Sequence, residues 1–158
     1  MSGSRAALVL TGFLTVLGCT HLAARDTVAP SQDPVIARLD QGITELNENL
    51  AHLHRHIVDL SNTPIPDDPL IEQLRALDLS AWRVHEQQWQ RQVEHLKFTS
   101  DHIHQAQANP SAKLHLRDEW IHEQHDYTSS LQRLRDARYE LERQRFLIES
   151  QLVQRYFE

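Results

Sequence analysis

Apolar residues fall at Ile36, Leu39, Ile43, Leu46, Leu50, Leu53, Ile57 and Leu60, at alternating intervals of three and four. That rhythm is a heptad seam, with Ile36, Ile43, Leu50 and Ile57 at a and the other four at d. Asp33 is a good N-cap and Pro34 suits the first helical position, so the spacing predicts a helix over 34–61. Pro64, Pro66 and Pro69 end it, because proline lacks the donor and clashes with the preceding turn. A second Asp-Pro pair, Asp68-Pro69, opens a helix over 69–107. Leu70, Leu74, Leu77, Ala81 and Val84 make one stripe there; Trp89, Val93, Leu96, Ser100 and Ile103 make another. The step of five between Val84 and Trp89 skips the register. Asn109-Pro110-Ser111 reads as a tight turn into a third helix over 111–157. In it Trp120, Tyr127, Leu134, Leu141 and Ile148 recur every seven residues. Leu131 and Leu152 flank this line, but Gln124, Arg138 and Arg145 interrupt the flank. Trp82, Trp89 and Trp120 read as core residues.

These elements predict an all-α fold, an elongated three-helix bundle or coiled coil formed by 34–158. The first helix is the shortest, so the C-terminal part of the third is expected to overhang it. Tyr139, Phe146 and Val153 also recur every seven residues, with Phe157 four later, opposite the third helix's main seam. Two readings stand for this stripe. Either it is a partner interface, or the first helix or its loop covers it and makes the third helix central. The 36–60 seam, with isoleucine at a and leucine at d, would also suit a self-pairing zipper and a homo-oligomer. Its flanks, Asp40, Asn47 and His54 on one side and Gly42, Asn49 and His56 on the other, lack complementary Glu/Lys pairs. That favours packing within the chain.

Composition sharpens the class. Only 4 glycines and 6 prolines occur, and the formal net charge is −6. No basic excess is present, so nucleic acid is not an expected partner, and no basic cluster suits an anionic membrane surface. The N-terminus carries a different signal. Arg5 precedes an apolar run over 6–17, too short for a bilayer span but suited to a secretory leader. It ends in Val16-Leu17-Gly18-Cys19, and Cys19 is the 1 cysteine of the chain. This resembles the lipobox of bacterial lipoproteins. The resemblance implies a signal peptide over 1–18, cleavage before Cys19, and fatty acylation of that cysteine, palmitate included. With Thr20 rather than aspartate next, it implies the outer membrane facing the periplasm, the protein meeting the membrane through its N-terminal lipid. The segment 19–33 reads as lipidated cysteine plus a flexible tether.

Eleven histidines supply the candidate chemistry. His52 and His56 are an i,i+4 pair; His102 and His104 close the second helix; His115, His122 and His125 lie early in the third. These residues are candidate ligands for zinc or copper, imidazole being a good ligand for both. His122-Glu123-Gln124-His125 is not the zincin motif, which needs histidines at i,i+4. No phosphate-binding glycine loop or nucleophile motif occurs, and long helical rods rarely shape a dry pocket, so no enzyme is expected. The reading that follows is a non-enzymatic envelope lipoprotein, an adaptor, assembly or regulatory factor docking on an envelope complex or sensor. The alternatives are a periplasmic metal-binding or stress-responsive helical protein and a structural coiled-coil rod at the cell wall.

Overall fold

The computed structural model describes residues 33–157. The leader, Cys19 and the tether up to residue 32 lie outside the described residues. The described residues form three α-helices: α1 (Pro34–Asn62), α2 (Pro69–Ala108) and α3 (Lys113–Phe157). A 3₁₀ turn, Pro110–Ala112, joins the last two. Both Asp-Pro starts act as expected: Asp33 Oδ1 accepts from the Val35 amide and Asp68 Oδ1 from the Leu70 amide, each at 2.8 Å. The third helix begins later than expected. Residues 110–112 are wound more tightly, with the Ala112 amide on the Asn109 carbonyl at 3.1 Å.

The helices pack as antiparallel neighbours. Between α1 and α2, Gln107 donates to Asp33 at 2.7 Å, Ser100 to Asp40 at 3.3 Å, and His54 meets Glu86 at 3.0 Å. Near the connection, the Arg75 guanidinium donates to the carbonyls of Leu60 and Thr63. Between α2 and α3, Arg91 pairs with Glu123 at 2.7 Å, Asp78 with Arg145 at 2.6 Å and Asp68 with Arg155 at 2.7 Å. The Asp78–Arg145 pair lies level with the last turn of α1 and the Asp68–Arg155 pair beyond it, so the C-terminal end of α3 does overhang α1.

The central helix is α2. It packs on both neighbours, and among the described residues no Cα of α1 lies within 8 Å of a Cα of α3. This corrects the reading that would have covered the outer stripe of α3 by making α3 central. From the second stripe of α2, Ser100 meets Asp40 of α1, and Leu96 lies against Gly42 of α1. Val93 and Ser100 are the most buried positions of α2, and all ten stripe residues are at least half-buried.

The α1 seam faces α2 of its own chain. All eight seam residues are buried or half-buried, with Ile36, Leu53 and Ile57 deepest. Val93 and Leu116 complete a narrow apolar core. Leu46, Leu96 and Tyr127, one from each helix, line a small cavity with Gln92 and His95. The tryptophans correct an expectation. Trp82 and Trp120 remain 37% and 36% exposed and Trp89 is half-buried. An indole is too large for a two-helix seam of this width and lies at its edge, where its N–H finds a partner. Trp120 Nε1 donates to Thr99 Oγ1 at 3.3 Å. No described helix is long and apolar enough to cross a membrane.

Candidate functional site

The outer face of α3 holds the feature that the bundle leaves unexplained. Toward α2 the helix presents Leu141, Ile148 and Leu152, all half-buried, with Arg145 and Arg155 reaching across. On the far side Tyr139 is 71% exposed, Phe146 68%, Val153 55% and Phe157 87%. Leu147 and Tyr156 lie exposed beside them. A stripe with heptad spacing on an exposed helical face has the layout of a helix-packing surface.

Ion pairs rim the stripe. Arg138 holds Glu142 at 2.9 Å, Arg143 holds Glu140 at 3.0 Å and Arg145 holds Glu149 at 2.8 Å. The hydrogen bond from Arg143, helped by one from Gln144, lowers the Glu140 carboxyl below its ordinary value. Pairs of this kind, three or four apart on a solvated face, stabilise the helix by only a few tenths of a kcal/mol each. They balance opposite charges along the rim.

The histidines scatter. His52 Nδ1 accepts from Arg55 at 2.9 Å, while His56 stacks edge-on against Trp82 at 4.9 Å. The expected i,i+4 pair is therefore drawn to two different partners. His102 and His115 do come together, on one carboxylate. Glu119 Oε2 lies 3.1 Å from His102 Nε2, and Glu119 Oε1 lies 3.1 Å from His115 Nε2. His102 Nδ1 also donates to the Phe98 carbonyl at 3.0 Å, and its ring stacks on Phe98. His122 lies 3.7 Å from Asp126, and His104 and His125 are exposed outside the cluster. Among the described residues no three His, Cys, Asp or Glu side chains gather as a metal-holding group.

Two clusters escaped the sequence reading. Between α2 and α3, Glu123 receives Arg91 at 2.7 Å and His95 at 3.4 Å, and His95 stacks flat on Tyr127 at 4.1 Å. Burial raises the Tyr127 hydroxyl above its ordinary value, against a hydrogen bond with Gln92 and the Arg91 charge, which lower it. The second cluster is a row of rings. His56 meets Trp82, Trp82 meets His85 at 6.1 Å, and His85 meets Trp89 at 4.5 Å. Its one sequence signal is the step of five between Val84 and Trp89, which brackets His85.

The described part of the chain thus belongs to the class of antiparallel helical bundles with an unpartnered outer face. No protein-family model matches the chain, and no curated protein or solved structure matches it either.

Proposed function

We propose that this is a non-enzymatic, lipid-anchored protein of the bacterial envelope, acting as an adaptor, assembly or regulatory factor through helix-on-helix docking. The observation that carries the docking reading is the outer α3 stripe of Tyr139, Phe146, Val153 and Phe157, exposed on a helix whose other face α2 occupies. An amphipathic partner helix lays its apolar anchors against such a face at three- and four-residue spacing. The leader ending in Val16-Leu17-Gly18-Cys19 supports the address, an outer-membrane lipid anchor facing the periplasm.

Two measurements test it. A photo-crosslinker at position 139 is expected to trap an envelope protein in cells, and Phe146→Glu with Val153→Glu in the same chain is expected to abolish that product while leaving the melting curve unchanged. An unaltered crosslinking partner in the double variant would sink the docking surface. Mass spectrometry of the mature N-terminus is expected to find an acylated Cys19, and an unmodified cysteine there would remove the anchor.

A second reading rests on His102 and His115 sharing Glu119. In it the protein binds zinc or copper at that carboxylate. A melting temperature unmoved by either metal would end it.

A further inference from the structure

Three donor side chains from two helices meet where α2 ends and α3 begins. His115 and Glu119 lie four residues apart on α3, so both leave the same face of the helix. His102 reaches that face from α2. Its Nε2 lies 3.1 Å from Glu119 Oε2, and His115 Nε2 lies 3.1 Å from Glu119 Oε1.

The partners of His102 fix where its hydrogen sits. A carbonyl oxygen only accepts, so the 3.0 Å contact with Phe98 puts the ring hydrogen on Nδ1. In the neutral ring Nε2 is left with a lone pair, aimed at a carboxylate oxygen that also carries only lone pairs. Two acceptors this close repel unless a cation stands between them. A proton meets that need, and so does a metal ion. The ring is held as metal-bound histidines are held, with the far nitrogen donating to a backbone carbonyl and the near one aimed by that bond. The side chain is 13% exposed and stacks on Phe98, so little freedom remains for an ion to remove.

The other two donors are looser. The side chains of His115 and Glu119 are 77% and 44% exposed. As they stand, the carboxylate gives one oxygen to each imidazole, and the three do not surround one point. Closing them on an ion takes rotamer changes of two exposed side chains one turn apart, with no movement of backbone. They open on a groove of about 790 Å³, lined also by Asp118, His122 and Asp126 and, among the described residues, by no lysine or arginine. The groove gives an ion a way in and negative surroundings.

We propose that His102, His115 and Glu119 bind one zinc ion through the two Nε2 atoms and a carboxylate oxygen, with water in the fourth position. Two imidazoles and a carboxylate, with one place left open, form a set that zinc accepts. A hard ion such as magnesium favours oxygen ligands and keeps its own water. The bound ion ties the end of α2 to the start of α3. This proposal rests on the second functional reading and names its ligands; it is independent of docking at the outer face of α3.

The test is calorimetric titration of the full-length protein in nonionic detergent with zinc chloride. One ion per chain is expected, and an excess of magnesium is expected not to displace it. Displacement by magnesium would show that carboxylates alone hold the ion and would overturn the ligand set. His102→Gln, His115→Gln and Glu119→Gln are each expected to weaken binding by at least about tenfold, the loss produced even by removing a partner behind a ligand. His125→Gln, outside the cluster, is expected to bind as the native chain does. If a variant fails to fold, NMR of the native chain decides: zinc is expected to shift the Nε2 signals of His102 and His115, and shifts at other histidines instead overturn the site. Zinc that raises the melting temperature equally in the native chain and all three cluster variants also overturns the ligand set, while leaving the second functional reading standing. No bound zinc and an unmoved melting temperature end the proposal.

Discussion

Gly42 sits inside α1, where a glycine costs conformational entropy that alanine does not. A Cβ added there would meet Leu96 Cδ1 at 3.7 Å, an ordinary contact. Gly42→Ala is therefore expected to raise stability by about 0.5–1 kcal/mol, read by urea unfolding. A loss would mean that α1 and α2 approach more closely than this distance implies. The contrast with Ile36 is instructive. Ile36 is 1% exposed, and removing its side chain would leave a cavity in a seam with few other buried groups. Ser100 is the polar residue buried at this interface, and its hydroxyl is satisfied by Asp40. Among the described residues no buried side-chain polar atom lacks a partner.

At the scale of the elements, the end of α1 and the start of α2 are held by one side chain. The C-terminal carbonyls of a helix have no partner within it, and the negative end of the helix dipole favours a cation. Arg75 of α2 meets both needs by donating to Leu60 and Thr63. Arg75→Ala is expected to cost about 1–2 kcal/mol in chemical unfolding, and Arg75→Lys to restore part of it, since an ammonium lacks the two-pronged fork. A native-like midpoint for the alanine variant would show that water replaces the guanidinium without loss.

The helices themselves were legible in the sequence because their signals are local. Aspartate before proline marks a start, proline clusters mark a stop, and the α1 seam shows an unbroken period. What was not legible was which helix lies in the middle. Arg91, Glu123, His95 and Arg145 carry much of the α2–α3 contact, and charged residues at a seam look like solvent positions to any hydrophobic pattern. Leu116, the buried residue of α3, was missed because it lies off the seven-residue line. The outer stripe of α3 was visible as a pattern. Its exposure needed the fold, because no period says which of two apolar faces a neighbour will take.

For the molecule as a whole, the governing fact is that α1 and α3 each pack on α2 and keep their backbones apart. Damage on one face should not be felt on the other. Leu53→Ala and Leu116→Ala, on α1 and α3, are expected to destabilise by about 2–4 kcal/mol each and to add within about 0.5 kcal/mol when combined. Strong coupling measured in that double-mutant cycle would show a third contact surface.

The antiparallel order also fixes how the bundle carries a load. Asp33 is tied to Gln107 beside the turn between α2 and α3, whereas the last turn of α3, at Arg155, is tied to Asp68 at the opposite end. A pull between Asp33 and Phe157 therefore runs lengthwise through the bundle. It drags α1 along α2 and α2 along α3 in shear, so the contacts of a seam share the strain. They do not open one after another, as they would in a hairpin peeled from its ends.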